Sequence, residues 1–440
     1  MSIPNRVRYL GWPALAIALL AGIQNTSADD LSSKDAALFE KARGIHSRIV
    51  AFDSHVDIPF NYGEPGVETQ VDLPKAEHGL LKGASIAVFV PQGPRNDEAY
   101  SQARSDADKK YRLIRSIAEK NPGRAALAYS PADVRRIAAE GKFAIVLSLL
   151  NAYPLVRPRV PKTPQNELGE RDLPAFQSDL DQINEWYNRG VRILGFVHAG
   201  HNDWADSSRP NAGLGDAAEE HCGLSELGKR AVRRLNDLGV LIDVSQLSTH
   251  ALEQVLSLTN APVAATHSAV QGLVDTPRNL SDPELDLIQK NGGVVQIVAF
   301  SNYLRPLPKQ YVDQLAALQA DFGFVGGKPA RALSQAKQDE YSERYHKIIA
   351  AAPPATLAQF VDAIDYAVKR IGVDHVGISS DFNHGGGVVG WENEGESVNV
   401  TAELLRRGYG ESDVAKLWGG TFLRVWQAAQ DAATHLESRR

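Results

Sequence analysis

Residues suited to metal binding and proton transfer recur in this chain at the ends of apolar runs. The first are His55 and Asp57 in His55-Val56-Asp57, reached through Ile49, Val50 and Phe52 and closed by Pro59. Residues two apart in a strand share a face, so an imidazole and a carboxylate would converge at the strand's end, a pairing that suits a zinc-like ion. His198 closes a second run, Asp243 and Gln246 a third, His267-Ser268 a fourth and Asp381 a fifth. Three histidines and several carboxylates so placed point to metal-assisted hydrolysis, in which one or two ions lower the pKa of a bound water and polarise a carbonyl. Asp381 would act as general base and then protonate the leaving nitrogen. His198 would hydrogen-bond the oxyanion, and Arg278 would grip a substrate carboxylate in fork geometry. The plain alternatives are a loop ion pair for Arg278 and a satisfied structural role for any single strand-end histidine.

The elements that must position these residues are legible as an alternation. Strand-like runs lie at 49–57, 85–90, 143–150, 191–198, 240–246, 262–267, 293–300 and 375–382. Most are near-continuously apolar, as parallel strands covered on both faces are. Helical patterns lie at 97–120, 130–140, 175–189, 225–238, 249–258, 282–290 and 356–371, with a leading helix at 32–48. Eight strands alternating with helices predict an α/β fold of the (β/α)8 TIM-barrel type, with its active site on the strand-to-helix side. Two loops on that side exceed what the barrel needs: 157–171, and an insert at 301–354 with helical stretches at 310–323 and 332–351. They would form a lid or substrate wall, or be solvent-facing decoration. Residues 391–399 would line the pocket or cap the barrel.

At 440 residues with 43% hydrophobic content the chain can bury one large core. A formal charge of −6 argues against a nucleic-acid or anionic-membrane partner. Arg6 and Arg8, an apolar stretch from Leu10 to Ile23 and the small residues Thr26-Ser27-Ala28 read as a secretory signal peptide, residues 1–28, followed by a single catalytic domain over 29–440. About 14 apolar residues fall short of the roughly 20 that span a bilayer, which disfavours a membrane anchor. The expected address is the periplasm. A single cysteine, Cys222, excludes an intramolecular disulfide.

Over residues from about Ile49 to Trp426 the chain resembles the membrane dipeptidases (renal dipeptidase-like) of the amidohydrolase-type barrels. The resemblance rests on Asp53-Ser-His-Val-Asp57, Val71-Asp-Leu-Pro74, Arg192-Ile-Leu-Gly-Phe-Val-His198 with Asn202-Asp-Trp-Ala-Asp206, and Gly223-Leu-Ser-Glu-Leu-Gly228. It continues through Leu241-Ile-Asp-Val-Ser245, Pro262-Val-Ala-Ala-Thr-His-Ser268, Arg278-Asn279, Val376-Gly-Ile-Ser-Ser-Asp-Phe382 and Gly419-Gly-Thr-Phe-Leu-Arg424. It implies a two-zinc dipeptide hydrolase. His55, Asp57 and His267 would be metal ligands, His198 would polarise the substrate, Arg278 would grip it, Asp381 would be the acid/base, and the molecule would be a homodimer.

Two positions depart from that pattern. Leu150, followed by Asn151, stands where the bridging glutamate belongs, and Gln246 stands where another metal histidine belongs. The expectation is therefore one zinc ion, held by His55, Asp57 and either His267 or Asp381, or none, rather than two. The leading functional reading is an exported metallohydrolase that cuts a small peptide or amide. A second is a divergent member working on a non-standard peptide, like the exported dipeptidase-like proteins that accompany maturation of pyoverdine-type siderophores. A third is a non-catalytic binder.

Overall fold

Apolar runs of this kind are covered on both faces only where helices wrap a parallel sheet, and the computed structural model has that arrangement. It describes residues 28–157, 173–325, 328–329 and 335–437. Strands β1 (Phe52–Val56), β2 (Gly83–Phe89), β3 (Phe143–Leu150), β4 (Val191–Gly195), β5 (Leu241–Asp243), β6 (Ala264–Ser268), β7 (Val294–Val298) and β8 (Val376–Ser379) are hydrogen-bonded in that order, every pair parallel. Nearly every position in them is buried. The result is a nearly closed eight-stranded (β/α)8 barrel, as the alternation predicts.

The sequence reading missed a short strand, Ala125–Leu127. It pairs with Phe143–Ile145 and fills the edge of β3 that β4 takes over from Leu147 onward. Where β2 meets β3, a side chain at Gly83 would place its Cβ 2.5 Å from the Ala144 carbonyl oxygen, so close pairing there requires glycine.

The ring closes between β1 and β8 through hydrogen bonds at and beyond the strand ends. The Asp381 N–H donates to the His55 carbonyl at 3.0 Å, and the Asp57 N–H donates to the Phe382 carbonyl at 3.0 Å. Lower down, Ser54 Oγ donates to the Ile378 carbonyl at 3.1 Å and the Thr266 carbonyl at 2.8 Å.

The connecting helices begin where side chains can take their first free N–H groups. Helix Asp97–Lys120 starts after Asn96, whose side chain accepts from the Ala99 N–H, and Thr249–Leu258 after Ser248, which accepts from Ala251. Asp282–Lys290 starts with a capping box between Ser281 and Glu284. At the barrel's other end, helix Thr421–Glu437 presents Phe422 and Trp426 to the first residues of the strands, and Phe422 stacks on Phe52 with centroids 5.5 Å apart. The N-terminal helix Ala28–Arg48 packs on Ser397–Arg406, where Ala42 meets Val398 and Ala402.

After β7, the insert contributes helices Ser301–Leu304, Lys309–Asp321 and Gln335–Ala351. Trp391 is fully buried against Phe360, Phe382 and Trp418. The expected signal peptide, up to its last residue, and the loop at 157–171, after its first, lie outside the described residues. Among the described residues, no helix is long and apolar enough to cross a membrane.

Candidate active site

The polar residues predicted at strand ends gather at one mouth of the barrel. The turns that carry them are tight. Asn151 after β3, Gln246 after β5 and Asp381 after β8 adopt left-handed φ values of 70°, 68° and 56°. Non-glycine residues rarely adopt this conformation, and it concentrates where a fold aims side chains for a purpose. A cavity of about 860 Å³ opens there, lined by His198, Arg209, Gln246, His267, Arg278, Asp381 and His384 together with Phe300, Tyr303 and Tyr345.

His55 and Asp57 both reach this end, but they face different partners. His55 stacks on His267 with centroids 3.9 Å apart and planes 11° from parallel, and its Nε2 lies 3.7 Å from Asp381 Oδ1. Burial, with the neighbouring His384 and Arg278, lowers the His55 imidazole to about 3, so it is neutral at physiological pH. The Asp57 carboxylate accepts instead from Lys110 Nζ at 2.9 Å and from the Ile58 N–H at 2.6 Å, while its Oδ2 lies 3.6 Å from His384 Nδ1. Burial raises the Asp57 carboxyl, and Lys110 and His384 oppose the rise.

The second half of the expected metal set is also committed. Gln246 Oε1 accepts from Arg209 Nη2, and Gln246 Nε2 lies 3.0 Å from His267 Nε2. A guanidinium has only donors, so the carboxamide must turn its oxygen to Arg209 and its NH2 to His267. The network thus assigns the His267 Nε2 lone pair to Gln246. His267 Nδ1 lies 2.9 Å from Thr266 Oγ1, which donates to Asp243 Oδ2 at 2.6 Å. Leu150 packs with Ala87 and Phe89. Asn151 is a staple: its Nδ2 donates to the Val90 carbonyl at 3.0 Å, and its Oδ1 accepts from Asn202 Nδ2 at 3.0 Å.

These donors do not fit a binuclear zinc centre. The bridging position is a hydrocarbon and one histidine position is a neutral amide. Of the three ligands that remain, Asp57 is engaged by Lys110 and His267 by Gln246, and only His55, at Nε2, is without a hydrogen-bond partner among the described residues. Among the described residues, no group of three or more His, Cys, Asp or Glu side chains is arranged to hold a metal ion.

The three residues expected to act on substrate do face the cavity. Burial raises the Asp381 carboxyl well above the usual carboxylate range, aided by Asp57 and Asp53 and opposed by Arg278. Its proton therefore stays on to higher pH, as a general acid requires. His198 lies against Phe89 and His384, with centroids 4.6 Å and 5.2 Å away, and burial holds it neutral. Arg278 is buried over the Tyr303 ring at 5.1 Å, where it donates to the His267 carbonyl and, at 3.3 Å, to Ser268 Oγ. Arg278 thus braces the β6 turn through a hydroxyl and a carbonyl and also borders the cavity.

Behind the mouth lies a pair of carboxyls. Asp53 Oδ1 accepts the N–H groups of His55 at 3.1 Å and Ser380 at 3.2 Å. The buried Glu394 is its neighbour, and burial raises both carboxyls.

Lys110, Arg209, His384 and Glu394 were missed by sequence reasoning. Lys110 had a signal, since it falls on the buried stripe Tyr100, Ala103, Ala107, Lys110, Ile114 and Ile117 of its helix. Arg209 and His384 sit in irregular segments and Glu394 opens a three-residue 3-10 turn, all too short for periodicity to mark them.

Comparison with known proteins agrees with this architecture. The sequence signature of the membrane dipeptidases (peptidase family M19) matches residues 39–160 and 167–440. Among solved structures, the probable dipeptidase PvdM from Pseudomonas aeruginosa is 44% identical, with a TM-score of 0.81 over 90% of this chain and 99% of that one. A metallo peptidase from Rhodobacter sphaeroides, liganded with a phosphinate mimic of the dipeptide L-Ala-D-Ala, shares the fold at 20% identity and a TM-score of 0.64, over 87% of this chain and 99% of that one. Dipeptidase tcpJ of Claviceps purpurea is 26% identical over 371 residues, 82% of this chain and 70% of that protein.

Proposed function

The chain belongs to the membrane dipeptidase family, and we propose that it is an exported member that acts on a small, non-standard peptide, as in the periplasmic maturation of a pyoverdine-type siderophore. The observation that carries this reading is the engagement of the ligand set: Asp57 by Lys110, and His267 by Gln246. A barrel mouth altered in this way keeps the means to bind a peptide and to move a proton, without the donors for the family's two-metal hydrolysis. Arg278 and Arg209 supply positive charge for a peptide carboxylate, the raised carboxyl of Asp381 gives or takes a proton, and His198 offers a neutral imidazole for hydrogen bonding. The size of the cavity supports the reading too, since about 860 Å³ suits a ligand well beyond two alanines. The 44% identity to PvdM is in keeping with it.

The second reading, an ordinary zinc dipeptidase, is favoured by the arrival of His55, Asp57 and His267 at the same mouth. One assay separates them. Purified protein is offered L-Ala-D-Ala and, separately, a peptide siderophore precursor, each with and without chelator, with products followed by mass spectrometry. The proposal expects conversion of the precursor alone, unaffected by chelator and slowed at least about a hundredfold in Asp381→Asn. Chelator-sensitive turnover of L-Ala-D-Ala at ordinary enzyme rates would establish the second reading instead. Export is tested separately by fractionating cells that express the full chain.

A further inference from the structure

We propose that two side-chain cations, Lys110 and Arg209, stand in place of the two metal ions that the family's donor pattern would hold, so that this barrel mouth carries its positive charge on fixed organic groups. The inference concerns the site's charge and does not depend on which peptide is bound.

Lys110 supplies the first half. Helix Asp97–Lys120 turns Tyr100, Ala103, Ala107, Ile114 and Ile117 into the core, and Lys110 is on the same stripe at 3% exposure. A lysine so buried is rare unless paired. Its ammonium donates to Asp57 Oδ1 at 2.9 Å and to the Ile58 carbonyl, and lies 4.5 Å from the centroid of the Phe60 ring. Carboxylate, carbonyl and aromatic face together surround one cation. With Asp57 drawn to this ammonium and His55 Nε2 facing Asp381, the His-x-Asp pair no longer serves a common centre.

Arg209 supplies the second half. Its guanidinium donates to Gln246 Oε1 and, at 3.2 Å, to the Tyr303 hydroxyl. This contact fixes the carboxamide so that its NH2 occupies the His267 lone pair. Leu150 completes the pattern, because a bridging carboxylate has no use where there are no two ions to bridge. Gln246, Leu150, Lys110 and Arg209 thus form one consistent exchange, with two single charges replacing two double ones and a carboxylate lost alongside.

The test uses zinc itself as probe, with zinc content measured after equilibrium dialysis at micromolar free zinc and thermal melts run in parallel. Wild type should retain well under one zinc per chain and show no zinc-dependent rise in melting temperature. Lys110→Met frees Asp57 and should bind zinc at least about tenfold tighter, since a ligand is released from a competing cation. The double variant Lys110→Met with Asp57→Asn should lose that gain. Should Lys110→Met not fold, Arg209→Met with Gln246→His tests the other cation by the same readout, and a gain in zinc is again expected. Stoichiometric zinc in the wild-type protein, or no gain in the variants that fold, overturns the proposal.

Discussion

His55 Nε2 and Asp381 Oδ1 face each other at 3.7 Å, both buried, at a separation too long for a direct hydrogen bond. The imidazole is held neutral, and the carboxyl keeps its proton to higher pH than usual. A substrate atom that can both accept and donate would find complementary groups here. Asp381→Asn should therefore lower kcat on the true substrate by about 10²- to 10⁴-fold. It should leave the melting temperature at pH 8 unchanged or higher, because an amide replaces a buried carboxyl group. Steady-state kinetics and thermal melts check this together. A large drop in melting temperature with kcat retained would make Asp381 a structural residue.

Arg278 is braced by the His267 carbonyl and Ser268 Oγ and lies over the Tyr303 ring. A lysine cannot reproduce that fork and stack. Arg278→Lys should raise KM for a peptide with a free C-terminal carboxylate by about tenfold or more, and change KM much less for the amidated peptide. Equal effects on the two peptides would mean that this guanidinium does not read the carboxylate.

Restoring the family's donors should restore metal affinity. Leu150→Glu with Gln246→His should bring retained zinc to about one ion per chain under dialysis conditions where wild type holds little. Without zinc, the new carboxylate lies against Ala87 and Phe89 and should cost several kcal/mol of stability, which zinc then recovers. Unchanged zinc content in the double variant would refute this account of the two departures.

Acid should unfold the protein through its buried histidines. His46, far from the mouth against Trp418 and with Nδ1 2.9 Å from Thr401 Oγ1, is lowered by burial and by Lys82 from 6.5 to about 3, and His55 is lowered to a similar value. The unfolded chain therefore takes up protons that the folded one refuses. Each residue's contribution is fully present above pH 6.5 and is lost as pH falls from there toward 3. By pH 4 the loss at His46 should be on the order of 3 kcal/mol. Denaturant melts from pH 7.5 to pH 4 should show His46→Gln losing less stability over that range than wild type. Parallel slopes would contradict the neutral-imidazole reading.

The barrel was legible because its strands are apolar on both faces and its helices carry strong caps. Helices predicted at 97–120, 249–258 and 282–290 end where the structure ends them. The helices at Ser397–Arg406 and Thr421–Glu437 went unread, since they follow the eighth strand, where the alternation gives no further expectation. At the site, His55, His198, His267 and Asp381 could be found because they punctuate apolar strands, whereas Arg278 lies in the loop after Ser268. Their partners were harder to find. Lys110 comes from the middle of a helix and Arg209 from a loop, and which of them meets Asp57 or Gln246 is decided by tertiary packing rather than by spacing.

The seam between β1 and β8 gives the molecule a built-in proofreading step. The N–H of Asp381 is bonded to His55 and that of Asp57 to Phe382, so the backbone atoms that complete the ring belong to the site's own residues. A chain that has not brought its last strand home cannot place Asp381 against His55. Misassembled copies should therefore be inert rather than carelessly reactive, and recovery of activity after dilution from denaturant should report the final act of barrel assembly.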